Sequence, residues 1–261
     1  MTLARGADPT FQNNVYMPQG GNSIVLRGTS GILSSENALW GNCPLSAWLL
    51  DPSIGVFLDE DFVSFNKAAT DGDYVGTQAT AGSAAISTTV PGSLLLDAGD
   101  STAHHGYQIQ RLKAAFIPAA GKDLWFEAKI LLGTALTIEA FVGLAASDTT
   151  IIAAGAMSTN NRIGWTGVAG DGVMQFDCDK AGTGNQTTGT TLSITVPHKL
   201  GFYYDGTADT VQQFIDGVAV GSAIATTYIP KLVVYPSFVC QSTGTSEPTM
   251  TIQGYRVFQL R

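Results

Sequence analysis

The chain has 261 residues, and its 13 Lys+Arg against 21 Asp+Glu leave a formal net charge of −8, with only 13% of positions charged. That balance excludes non-specific nucleic-acid binding, which needs a basic surface to neutralise phosphates. A hydrophobic fraction of 44% and a mean hydropathy of +0.15 exclude a disordered chain. Thirty glycines against five Glu and seven Lys starve helices of their solvent-facing formers, so the composition predicts an all-β protein with room for one large domain and an appendage.

No window holds the ~18 uninterrupted apolar residues of a membrane helix, and Met1 to Gly21 lacks the basic start and apolar block of a secretory signal. Cys43, Cys178 and Cys240 are widely spaced, with no Cys-x-x-Cys and no neighbouring His, and read as buried thiols in a reducing compartment.

Residues 1–41 are rich in Asn, Gln, Gly and Ser. Their two short β-like runs, Val15 to Met17 and Ser23 to Leu26, flank Gly20-Gly21. Such a segment carries too little apolar surface to fold alone, so it is expected to order against something else. Residues 42–55 form a linker. Trp40, Trp48 and Leu49-Leu50 lie in or beside it and are costly to leave in water, which predicts docking on a neighbouring surface.

From residue 56 to 261, strand signals recur between turn residues, the pattern of a sandwich or barrel. Leu124, Phe126, Ala128, Ile130 and Leu132 alternate with Glu127 and Lys129, and Ile138, Ala140, Val142 and Leu144 repeat the period of two. Ile163 to Val168 and Val173 to Cys178 flank Asp171-Gly172, a pair suited to a tight hairpin. Lys199 to Tyr204, Val211 to Ile215 and Val218 to Val220 are separated by turns beginning at Asp205-Gly206 and Asp216-Gly217, which predicts three antiparallel strands in succession. Thr249 to Leu260 is a last long strand whose apolar phase shifts between Val257 and Phe258, the mark of a bulge.

Two stretches resemble known families. His198 to Gly206, then Val211 to Gly221, is similar to the hairpin and Asp-Gly return of concanavalin A-like, laminin-G-like jelly rolls. Phe57-Leu58-Asp59-Glu60-Asp61-Phe62 against Ile252 to Val257 fits that family's pairing of first and last strands. The resemblance implies a concanavalin A-like jelly-roll sandwich over 56–261, preceded by an extended β-rich arm. At the other end, Asn14 to Leu26, with Gln19-Gly20-Gly21-Asn22 at its centre, is similar to the N-terminal segment of tailed-bacteriophage structural proteins, where an acidic residue usually stands in place of Asn22. This implies a head decoration (cement) protein on the capsid exterior, made in the host bacterial cytoplasm, with the major capsid protein as partner and a homotrimer as its assembly.

The hydrolase branch of the jelly-roll class places an acid and a nucleophile with Glu-x-Asp-x-x-Glu. Glu36, Glu60, Glu127, Glu139 and Glu247 never take that spacing. Asp59 and Asp61 would share a face if extended, and read as a strand end feeding a polar rim. Asp71-Gly72-Asp73 and Asp177-Cys178-Asp179 could offer hard oxygens to a cation, but neither reaches six ligands; the first reads as a turn and the second as a solvent-facing strand edge. His104, His105 and His198 read as surface loop residues. Gly-x-Ser-x-Gly is absent, and Ala181 to Asn185 lacks the ending of a phosphate loop and reads as a polar β connection.

The expectation is therefore a non-enzymatic virion structural protein without cofactor or metal, with no nucleic-acid or membrane partner. Val15, Tyr16, Met17, Ile24, Val25 and Leu26 are the arm's apolar contacts, and Trp40 and Trp48 pack between arm and knob. An extended arm can add backbone hydrogen bonds to a sheet edge, and several arms on one seat multiply weak contacts. The alternative is a carbohydrate- or receptor-binding tail protein using the sandwich loops, with Trp165, Tyr74, Tyr107 and Tyr228 as the aromatics available to stack on a glycan.

Overall fold

In the computed structural model the described residues are 14–19, 22–27, 35–67, 72–133, 137–168, 172–187 and 189–261; for 14–19, 22–27 and 35–37 the description is of the backbone. Two strands, β1 (Asn14–Gln19) and β2 (Asn22–Arg27), form a hairpin that is a two-stranded sheet of its own. A 3-10 turn over Ser35–Trp40 leads to the short helix α1 (Leu45–Leu50), which stops ahead of Pro52.

The sandwich begins with β3 (Gly55–Glu60), β4 (Val75–Ala79), β5 (Ser83–Ile86), β6 (Leu94–Asp97) and β7 (Gly106–Gln110). Two long strands follow, β8 (Leu124–Leu132) and β9 (Ile138–Ala145), and then the two-residue pair β10 (Ile152–Ala153) and β11 (Ala156–Met157). Next come β12 (Arg162–Gly167), β13 (Val173–Lys180), β14 (Thr183–Gln186) and β15 (Thr190–Thr191). The chain ends with β16 (His198–Asp205), β17 (Thr210–Ile215), β18 (Val218–Ala225), β19 (Tyr235–Ser242) and β20 (Thr249–Leu260).

Two antiparallel sheets face each other. The first runs β14-β13-β12-β9-β19-β7-β4 with β15 also on β13, and the second runs β18-β17-β16-β8-β20-β6-β5 with β3 beside β20. Between them lies one apolar core. Its aromatics bridge the layers: Phe126 stacks on Phe202 at 5.2 Å, Phe202 meets Phe176 at 5.7 Å, and Phe176 meets Trp165 edge-on at 5.3 Å. The fold is an all-β sandwich, as the alternation implied.

Local chemistry accounts for the strand returns. Asp216 and Gly217 both take positive φ, 51° and 79°, the conformation that a two-residue turn needs to match strand twist. Asp205 Oδ1 accepts from the amides of Thr207 and Ala208, each at 2.8 Å, and so closes the preceding turn. Gly172 is likewise at +73°, while its neighbour Asp171 lies outside the described residues. β3 pairs with β20 from Glu60↔Tyr255 to Gly55↔Leu260, so first and last strands of the sandwich do meet.

The bulge in β20 is not at Val257 and Phe258. The register against β8 slips between Ile252 and Tyr255, at Gly254 with φ +131°. Met250, Ile252, Tyr255 and Val257 thus all face the core, while Phe258 points outward under a second apolar layer. Both faces of this strand are covered, which makes an apolar pattern look out of phase at the wrong residue.

Candidate functional site

The hairpin register places the six apolar arm residues opposite one another: Val15↔Leu26, Tyr16↔Val25 and Met17↔Ile24. What their side chains touch lies outside the described residues. Leu39 and Cys43 are buried with Trp125, Phe214 and Phe258 on the outer face of the second sheet, and Trp40, Leu45 and Trp48 pack on that cluster. Trp48 meets Phe57 edge-on at 5.4 Å and donates from Nε1 to the Gly55 carbonyl at 3.2 Å. Gly201 makes room for this docking, since a Cβ there would lie 2.5 Å from Leu39 Cδ2. Residues 39–48, assigned by sequence to the end of the arm and to the linker, thus seat together on the sandwich. Burial pushes the Cys43 thiol up to about 12. Leu49 and Leu50 remain exposed on α1, at 59% and 60%.

The outer face of the first sheet is filled by the protein itself. Residues 146–161 fold back across it, so that Ile151, Ile152 and Met157 pack on Phe141, Ala145 and Val239. Two glutamines on this face bond to the backbone of that segment. Gln110 donates to the Ala146 carbonyl at 2.9 Å and accepts from the Asp148 amide at 2.9 Å, and Gln108 accepts from the Ile151 amide at 3.0 Å. Glu139, buried in the same layer, is bound by His104 Nδ1 at 3.0 Å; burial raises its carboxyl above the usual range against the pull of that histidine.

Asp177 and Asp179 are not on a solvent-facing edge. β14 continues the sheet beyond β13, and both carboxylates are buried around Arg162, with Nε to Asp177 at 2.6 Å and Nη2 to Asp179 at 3.1 Å. The guanidinium also donates to the carbonyls of Ser158 and Asn160, tying residues 158–161 to the sheet. Burial raises the Asp177 carboxyl, opposed by Arg162. Two acids here share one arginine, and Asp177 Oδ1 is buried without a hydrogen-bond partner.

On the second sheet a groove of about 230 Å³ is lined by Asp59, Glu60, Asp61, Glu127, Lys129, Lys199 and Arg256, among others. Asp59, Glu60 and Asp61 each have a local partner. Asp59 accepts from Arg256 Nε at 3.0 Å. Glu60 accepts from Arg111 and from the Tyr74 hydroxyl, which lies 2.8 Å from the Tyr255 hydroxyl. Asp61 lies past the end of β3, where Oδ1 accepts from the Val63 amide at 3.3 Å. Asp59 and Asp61 therefore form the polar rim read from the sequence.

The histidines serve three different turns. His105 Nδ1 meets Asp100 at 3.0 Å, and His198, at the start of β16, meets Asp216 at 2.8 Å, so neither shares a site with His104. Among the described residues no group of three or more His, Cys, Asp or Glu side chains gathers as a metal site, and no helix is long and apolar enough to cross a membrane. Asp71 of the Asp71-Gly72-Asp73 motif lies outside the described residues. Cys43, Cys178 and Cys240 are free and buried. Trp165 and Tyr74 are each 1% exposed and Tyr107 is buried, so these rings are core members and do not form an exposed stacking platform; Tyr228 is half-buried.

Neither a family model nor a curated protein sequence matches the chain. Solved structures do. A seed lectin from Lotus tetragonolobus aligns with a TM-score of 0.53 at 12% identity, covering 79% of this chain and 99% of the lectin. An endo-1,3-beta-glucanase from Streptomyces sioyaensis gives 0.54 at 13%, covering 80% and 96%. A protein of unknown function from Shewanella oneidensis MR-1 gives 0.55 at 13%, covering 88% and 95%. At such identity these neighbours establish the jelly-roll fold, which hosts both binding proteins and enzymes.

Proposed function

We propose that this chain is a non-enzymatic structural protein of a bacteriophage virion, a head decoration or cement protein whose sandwich is held to the capsid by its N-terminal arm. One observation carries the reading: the arm's hairpin is a sheet separate from the sandwich, while the segment behind it is clamped to the sandwich through Leu39, Cys43 and Trp48. A two-stranded element behind a fixed root can add backbone hydrogen bonds to a partner's sheet edge without needing a preformed pocket. Asp59 pairs with Arg256 and Glu60 with Arg111, and Asp177 and Asp179 share Arg162, so these acids have structural partners, which supports a structural role over turnover. The major capsid protein is the partner, and a homotrimer gives three arms one shared seat.

The test is co-sedimentation with undecorated capsids, comparing the full chain with a variant lacking residues 1–34, which keeps Leu39 and the docked segment. The shortened chain is expected to fold, shown by an unchanged melting profile, and to remain in the supernatant. Sedimentation of that variant at full occupancy would overturn the attachment role. Sedimentation velocity of the full chain checks the trimer, and a monomer at capsid-saturating concentration would refute it.

A further inference from the structure

The second sheet is incomplete beside β3. β8 flanks one side of β20; on the other side β6 pairs with its first residues and β3 with its last, and β5 continues the sheet past β6 only. Among the described residues no strand pairs with the far side of β3. The Leu260 amide donates to Asp123, on the β8 side, and the Arg261 amide to Ile54, so in the antiparallel alternation Val56, Leu58 and Glu60 direct their backbone groups to β20. Those of Phe57 and Asp59 face the open side, where no described group bonds them. The Gly55 carbonyl on that side is taken by the Trp48 indole, and Val56 and Asp59 are exposed.

The other edges are poorer acceptors. β4, β5 and β14 are only four or five residues long. On β18 the Val220 and Ser222 carbonyls accept from the side chains of Gln212 and Gln213, and the register slips at a bulge beside them, which turns an edge away from a guest strand.

The arm has the complementary need. A two-stranded ribbon is marginal alone and gains stability from a third strand. β1 contains Pro18 and so lacks one amide donor, whereas all six residues of β2 have theirs, matching the six of β3. Arg5 and Arg27 against Asp8 make residues 1–34 net positive in a chain of net charge −8, and β3 runs out into Asp59-Glu60-Asp61. Ser35–Trp40 lies against β18 and β16, so the arm leaves from the side of the sheet opposite β3. Donor and acceptor on opposite sides of one sheet make a head-to-tail contact, which closes into a ring. We infer that β2 of one copy pairs with the open side of β3 in the next, so that the arm joins sister subunits through a shared sheet. The inference deepens the proposed function and rests on its trimer; capsid attachment is a separate event.

The test is sedimentation velocity of the full chain without capsids. Wild type is expected to sediment as three copies. Ile24→Pro disables β2 as a strand outside the sandwich, and Asp59→Pro removes an outward amide without touching the β20 ladder; each is expected to be monomeric. Mixed one to one they are expected to form a dimer, since the first still accepts a strand and the second still donates one. Amide exchange carries the test if Asp59→Pro folds poorly: the Phe57 and Asp59 amides are expected to exchange at least about tenfold more slowly in wild type than in Ile24→Pro. Unchanged trimers in a folded variant, a mixture that stays monomeric, or equal exchange overturns the pairing and leaves the trimer standing. A wild-type monomer overturns both. Capsid attachment is read separately, by co-sedimentation of the wild type.

Discussion

Replacing Arg162 by Leu tests whether the layer over the first sheet is as dry as its geometry implies. The side chains of Arg162, Asp177 and Asp179 are 6%, 1% and 8% exposed, and the cluster holds one cation against two carboxylates. Removing the cation leaves two acids facing each other without compensation, and removing one partner of a buried pair costs about 3–5 kcal/mol. At ~2–4 °C per kcal/mol for a domain of this size, the melting temperature at neutral pH should fall by roughly 6–20 °C. The pH dependence has a definite sign. Burial already holds the Asp177 carboxyl above its usual range, and loss of the Arg162 charge raises it further, so protonation favours the folded variant and that gain is lost as pH rises through the raised value. The deficit should therefore shrink as pH falls toward about 4. Urea denaturation across that range measures it, and adding Asp177→Leu and Asp179→Ala to the variant should recover part of the loss. A penalty below about 1 kcal/mol that does not change with pH, as for an exposed ion pair, would refute the reasoning.

Leu39→Ala, at a site 3% exposed, should cost about 2 kcal/mol, the low end for a buried leucine, and should expose residues 35–51 to limited proteolysis before the sandwich unfolds. Glu139 has its carboxyl raised by burial, so wild-type stability declines as pH rises from the ordinary carboxylate value through the raised one. Glu139→Gln lacks that decline, and its melting temperature relative to wild type should increase across the same window. Burial raises all three thiols, so an aromatic disulfide reagent should label none in the native protein and all of Cys43, Cys178 and Cys240 in denaturant.

Much of the sandwich was legible because half-buried strands print their geometry as alternation and tight returns print theirs as Asp-Gly. β8 shows Phe126 and Ile130 against Glu127 and Lys129, and Asp216-Gly217 marks a turn whose φ angles few other pairs tolerate. The second burial was not legible. In β9 the residues between the core positions are Glu139, Phe141, Gly143 and Ala145, a mixture that reads as a solvent face until residues 146–161 fold over it. Asp177 and Asp179 misled for a related reason: acids at i and i+2 suggest an edge, and only the partner fifteen residues back, Arg162, reveals a buried triad. The Leu39 and Trp48 docking was legible as a cost in water, though not as a destination.

The pairing of β3 with β20 also decides how the molecule bears load. The Arg261 amide donates to the Ile54 carbonyl at 3.1 Å, and Gly55 lies opposite Leu260, so Arg261 lies at the spot where the polypeptide enters the sandwich. Tension between that entry and a weight hung on Arg261 would open this ladder like a zipper, rung by rung, instead of shearing six rungs together. A fluorescent or affinity label placed after Arg261 would thus sit beside the point where the chain enters the sandwich.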